Sequence, residues 1–201
     1  MTHKTEELLN KLQERTESIL QKAIQEWQLL PPEQLSVKPG PDKWSPAQCL
    51  DHLNFYGHHY LPAIEKAIKA AKGRNGIPVE VFKSGWLGQY FTQLMLPQPG
   101  GGLKSTMKAP KNAVPAAEPE PLATLAEFME QQERMLQLLE AARAVNLNTI
   151  RVPISLSPWI RLRLGDTFGF VVAHNERHVL QLEKGLLLYP KILANLVQST
   201  P

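Results

Sequence analysis

The stretch AHNERHVLQ, residues Ala173–Gln181, decides how this chain is read. It sets His174 and His178 four residues apart, so on a helix both imidazoles leave the same face, one turn above the other. The surrounding pattern is helical. At about 100° per residue, Phe168, Val171, Val172, Val179, Leu182 and Leu186 form one apolar arc. The two histidines lie at its edge, while Glu176, Arg177, Glu183 and Lys184 point elsewhere. Histidine pairs at this spacing also occur on solvated helix faces, where they bind nothing. Bordering an apolar arc sets this pair apart.

A second stretch, WSPAQCLDHLN from Trp44 to Asn54, supplies His52. Its Ser-Pro-Ala-Gln start, from Ser45 to Gln48, reads as a capping box with Pro46 in the first turn. Leu50, Leu53, Tyr60, Leu61, Ile64 and Ile68 form the apolar arc of this helix, and His52 sits on its flank beside Cys49 and Tyr56. Imidazoles from two facing helices would cap one divalent cation at nitrogen–metal distances near ~2.1 Å and leave positions open. Zinc or nickel fits this donor set first, with manganese or iron as alternatives. Such an ion lowers the pKa of bound water toward about 7, or holds a thiol as thiolate at neutral pH. Hydrolysis and thiol transfer need the same ligands, so spacing does not choose between them.

Other residues are candidates for the surroundings of such a site. Gln181 follows His178 by three residues and would orient a ligand or a water, or else is a plain polar flank residue. Asn175 falls inside the apolar arc and needs a buried hydrogen-bond partner. His59, two turns after His52, is a candidate fourth ligand or acid–base group, the alternative being a hydrogen-bonded pocket histidine. Tyr56 is a candidate pocket residue. Asp51 reads as a solvated carboxylate, Cys49 as an inert buried thiol, and Trp44 as an apolar staple at the helix start. His58 projects away, and His3 falls in an N-terminus expected to be disordered.

The tryptophan–serine helix start at Trp44 and Ser45, the His52-Leu53 pair, and His174, His178 and Gln181 together resemble the DinB-like superfamily, which includes bacillithiol S-transferases. KAPKNAVP, from Lys108 to Pro115, is similar to the Lys-x-x-x-Pro-rich connector common in those proteins. The resemblance runs from Thr5 to Pro190. It implies an up-down-down-up four-helix bundle and transfer of a low-molecular-weight thiol onto an electrophile, with small-molecule thiol and electrophile as partners. A metal-dependent hydrolase and a non-enzymatic metal- or ligand-binding bundle are the competing functions.

The 201 residues, 43% of them hydrophobic, suffice for the core of one all-α domain over residues 1–201. Four long helices are expected: Thr5 to Leu30, stopped by Pro31 and Pro32; Ser45 to Lys72; Thr124 to Arg143, with a capping box to Glu127; and Asp166 to Leu188, interrupted at Pro190. Residues 191–201 read as a C-terminal tail. The connection over residues 73–120 is unusually long for a bundle and permits the second and third helices to run parallel through a crossover. Within it, SGWLGQYFTQLMLP reads as a short amphipathic helix burying Trp86, Tyr90, Phe91 and Leu94. IRVPISLSPWIRLRLGD, from Ile150, is apolar enough to pack over one end as an ordered loop. Together these two segments offer enough apolar surface for a homodimer.

Several classes are excluded or disfavoured. A net charge of +3 is too small to argue for nucleic acid, and lysines such as Lys69, Lys83 and Lys111 read as a basic loop and solvated faces. A single cysteine, Cys49, permits no intramolecular disulfide. The first residues are charged and lack an apolar run, so no signal peptide is expected. No run of eighteen apolar residues predicts a membrane span, and a cytoplasmic protein is the expectation.

Overall fold

The computed structural model describes residues 1–73, 77–98, 102 and 108–198, with side chains described to residue 190. It is 66% helix, with two small sheets, which places it in the all-α class. The first long helix, α1, spans Thr5–Gln25 and gives way to a 3-10 turn at Trp27–Leu29 and a short helix α2, Pro32–Ser36. α1 stops at Gln25, short of the expected Leu30, so Pro31 and Pro32 lie beyond its end; Pro32 instead opens α2, lacking the amide that the first turn leaves unused. Helix α3 spans Pro46–Lys72 and opens with the capping box, Gln48 N donating to Ser45 Oγ at 3.2 Å and Ser45 N to Gln48 Oε1 at 3.1 Å.

Helix α4 spans Trp86–Met95, α5 Pro121–Ala142 and α6 Leu164–Gln198. The start of α5 differs from the sequence reading. Glu120, not Thr124, is the cap, its carboxylate accepting from Leu122 N and Ala123 N, because Pro121 already sits favourably in the first turn. Pro190 does not end α6, and the backbone stays helical through residues 191–198. Proline removes its own donor and crowds one carbonyl four residues back, while the bonds of later residues are untouched.

Contacts fix how the long helices lie against one another. Between α3 and α5, Asn54 meets Thr124 and Glu65 meets Arg134, so the two run in the same direction. Between α1 and α6, Arg15 pairs with Glu176 and Lys22 with Glu183, again in parallel. Arg143 at the end of α5 reaches Asn10 (2.8 Å) and Gln13 (2.9 Å), near the start of α1. Trp27 just beyond α1 meets Phe128 early in α5, so this pair is antiparallel. Apolar side chains fill the space between: Leu9, Leu12, Tyr60, Ile64, Leu139 and Phe168 toward one end, and Ile19, Trp27, Leu50, Phe128 and Leu182 toward the other.

Strands account for what periodicity read as loops. β1 (Thr2–Lys4) pairs antiparallel with β2 (Val81–Lys83), so His3 is paired with Phe82 and is not disordered. β3 (Arg151–Ile154) and β4 (Ser157–Arg163) form a hairpin where an ordered loop was expected, with a bulge at Pro153/Ile154. The apolar residues of that segment alternate, and alternation suits a two-stranded ribbon. α4 forms where its amphipathic pattern predicts and packs on α6, but Trp86 and Tyr90 lie mainly in water at 80% and 57% exposure. Gly88 explains the close approach to α6: a β-carbon there would stand 2.3 Å from Asp166 Cβ. Asp166 is itself buried and holds the turn before α4, accepting from Gly85 N at 2.9 Å and from Ser84 Oγ. Most of the proline–glycine run after Pro97, with Arg74 and Lys104 of the basic loop, lies outside the described residues. Among the described residues, no helix is long and apolar enough to cross a membrane.

Candidate metal centre

Facing turns of α3 and α6 bring His52, His174 and His178 together, with one ligand atom from each lying within 4.8 Å of the others. All three are buried, at 3%, 4% and 8% exposure. The rings meet edge to face, His52 with His178 at 4.6 Å, His174 with His178 at 4.8 Å and His52 with His174 at 5.2 Å between centroids. Donors around one ion at ~2.1 Å sit roughly 3.0–3.4 Å apart. The present spread of up to 4.8 Å is wider than that, so the three rings would draw together on an ion.

Hydrogen bonds prepare two of the rings. His52 Nδ1 donates to the Ala113 carbonyl at 2.6 Å, and His178 Nδ1 donates to Gln181 Oε1 at 3.1 Å. In a neutral imidazole a donating Nδ1 leaves the lone pair on Nε2, and such a partner fixes the ring against rotation. His174 is positioned by rings instead, stacked on Phe170 at 5.8 Å and edge-on to Tyr56 at 4.5 Å. Trp44 closes the cluster, 4.8 Å from His52 and 5.8 Å from His178. The staple at the helix start is thus also a wall of the histidine cluster.

Burial holds these imidazoles neutral. It lowers His178 to about 3, with the positive forms of His52 and Arg177 adding to the effect against the bond to Gln181. His174 is pushed well below the ordinary histidine value by burial first and then by His178, His52 and Arg177. For His52, burial outweighs the raising influence of the Ala113 carbonyl and Asp51. Neutral imidazole is the form that ligates a cation, so the donor set fits a divalent metal, with His52, His174 and His178 as its holders.

The remaining sequence candidates divide. Gln181 is at the cluster, on His178. Tyr56 touches both His52 and His174, and burial raises its hydroxyl to about 12. Asn175 has the buried partner its position demanded, donating from Nδ2 to Gln132 Oε1 at 2.9 Å. His59 stands apart, its ring facing Tyr60 and its Nε2 against the Pro153 carbonyl at 3.2 Å. Asp51 accepts from Ala116 N at 2.8 Å and so pins the connector that carries Ala113. Cys49 is fully buried, its thiol pushed up to about 12, and His58 pairs with Glu127 at the surface.

Two participants escaped the sequence reading. Ala113 contributes only a backbone carbonyl, which no side-chain pattern announces. Phe170 had a signal: it precedes His174 by four residues, as His174 precedes His178, so the three share a face.

Beside the cluster lies a cavity of about 190 Å³, to which Tyr56 and Phe170 also contribute walls. Phe91, Leu94, Ile154 and Leu162 are among its apolar lining, and Lys108 lies along it. Neither the curated proteins nor the solved structures give a match to this chain. A family model described as the DinB superfamily matches residues 7–182, a span that takes in the three histidines, Trp44 and Gln181. The chain belongs to the DinB superfamily.

Proposed function

We propose that this chain is an up-down-down-up four-helix bundle holding one divalent cation, zinc or nickel before manganese or iron, on His52, His174 and His178. In this reading it works in the cytoplasm as a thiol S-transferase or, failing that, a metal-dependent hydrolase. The observation that carries the reading is the meeting of three buried, neutral imidazoles, two with Nδ1 already committed, beside an apolar cavity. The parallel contacts of α3 with α5 and of α1 with α6 support the topology.

A bound dication supplies a Lewis-acidic centre that favours a thiol or water in its deprotonated form. The chain's own part is positional. Ala113 and Gln181 fix two rings, Trp44 and Phe170 exclude water, and Tyr56 stays protonated at neutral pH and so donates a hydrogen bond toward substrate. In thiol transfer a sulfur–carbon bond forms, the bond from that carbon to its leaving group breaks, the leaving group takes the electron pair, and the thiol proton passes to solvent.

The test is turnover of an aryl halide by a panel of low-molecular-weight thiols, run beside hydrolysis of activated esters, each with and without chelator. Chelator-sensitive turnover of either class supports the enzyme. Metal bound at one ion per chain with no turnover favours the second reading, a non-enzymatic binding bundle, for which the depth of the histidines and the cover of Trp44 argue. A homodimer belongs to the proposal, supported by Trp86, Tyr90 and Trp159 standing in water; light scattering that reports a monomer at high concentration rejects it.

A further inference from the structure

The cavity beside the histidines limits what the protein accepts. Its volume of about 190 Å³ compares with the roughly 150 Å³ of an apolar cavity that takes up benzene. One six-membered ring or a compact alkyl group fits within that volume. Its surface is overwhelmingly apolar, and among the described residues Lys108 is the one charged residue that lines it. The hydroxyl of Tyr60 is already engaged, accepting from Ser155 N at 3.1 Å. Lys108 is exposed, and it sits on the same connector that presents Ala113 to His52, so charge and ligand orientation come from one segment. Tyr56 and Phe170 are walls of the cavity and neighbours of His174 at once.

We propose that this cavity binds the electrophilic substrate, as a molecule with a single aromatic ring or compact alkyl body and an anionic group that pairs with Lys108. This rests on the function proposed above for its role, and on the cavity alone for the binding. The shape selects the body and the lysine selects the charge.

Phenylacetate is a suitable probe, with benzyl alcohol supplying the ring without the charge and acetate the charge without the ring. Titrated calorimetrically into metal-free full-length protein, where a carboxylate finds no ion to ligate, phenylacetate should bind about threefold to fivefold more tightly than benzyl alcohol, the scale of an exposed ion pair. Acetate should show no saturable binding. Lys108→Met should erase the advantage of the acid, Lys108→Arg should keep it, and Leu94→Trp, which fills the cavity, should abolish binding of both ring compounds while circular dichroism stays unchanged. Acetate binding as well as phenylacetate, or phenylacetate affinity unmoved by Lys108→Met, overturns the proposal. So does failure of both ring compounds to bind the wild type. Metal content and chelator-sensitive turnover, read on the same preparations, keep the two claims apart. Metal-loaded protein that converts only uncharged electrophiles overturns this inference and leaves the enzyme standing. Lysine-dependent phenylacetate binding by a chain that takes no metal supports the cavity and overturns the metal-dependent function.

Discussion

The seam between α3 and α6 and the face made by α4 with the β3–β4 hairpin are both rich in aromatic and apolar residues, yet they end in opposite environments. His52 and His178 are 3% and 8% exposed, whereas Trp86 and Trp159 are 80% and 90% exposed. Helical periodicity marked the seam and α4 as surfaces to bury, and apolar content did the same for the hairpin segment. The difference lies in partners. α3 and α6 are long and meet other helices on several sides, so residues at the edge of an apolar arc are also covered. α4 has ten residues and rests one face on α6, which leaves the other in water. An apolar arc shows which side of a helix will bury only when a neighbour exists for that side.

The largest effect on this contrast belongs to the seam. His178→Ala should lose bound metal while keeping helical content, because apolar burial at ~25 cal/mol per Å² holds the helices and the metal joins only two of them. Metal quantification and circular dichroism on one sample check this; retained metal shows that His178 is no ligand. Gln181→Ala should weaken metal binding roughly 10- to 100-fold by releasing the His178 ring, as read by competition with a chromophoric chelator.

The next effect lies where α4 meets α6. Gly88→Ala should destabilise the protein by about 1–3 kcal/mol, since the new methyl collides with a buried Asp166 already held by Ser84 and Gly85. Urea unfolding measures it, and an unchanged midpoint would mean that α4 is not docked as described.

Acidity probes the seam alone. With native pKa values depressed, His178 to about 3 and His52 and His174 also lowered, the unfolded chain takes up protons first as pH falls below ~6.5. The stability these groups contribute is therefore complete above that pH and lost as pH falls through the interval toward about 3, at up to ~1.4 kcal/mol per pH unit for each imidazole still neutral in the native state. Urea midpoints of the metal-free protein should fall from pH 7 to 4, and less steeply in His178→Ala; equal slopes would mean that His178 is not held neutral.

The smallest effect is expected on the outer face. Trp86→Ser should change stability by no more than about 0.5 kcal/mol in a monomer. A larger, concentration-dependent loss would show that a second copy covers the residue.

What the sequence made legible follows the same division. That His52, His174, His178, Tyr56 and Gln181 come near one another was readable because their relations lie within one helix or between two helices with clear arcs, where a fixed rotation per residue determines the face. The capping box at Ser45 was readable because it is local. The start of α5 was missed because two plausible caps stood four residues apart, and the proline after Glu120 decided between them. The β1–β2 pair was missed because its pairing depends on a partner distant in sequence, Thr2 with Lys83 being one case. The hairpin is local, Ile154 facing Ser157, and its alternation was a signal left unread. His59 illustrates the limit of the helical rule: it shares the heptad position of His52, but two turns carry it past the cluster to the hairpin carbonyl of Pro153.

The proposed function turns on whether the three imidazoles hold a metal. Protein purified without a histidine tag, stripped by chelator and titrated with zinc, should bind one ion per chain saturably, with wild type losing that site on substitution of any one of His52, His174 or His178. Absence of saturable zinc or nickel binding in a folded wild type, or binding that survives all three substitutions, would contradict the metal centre outright.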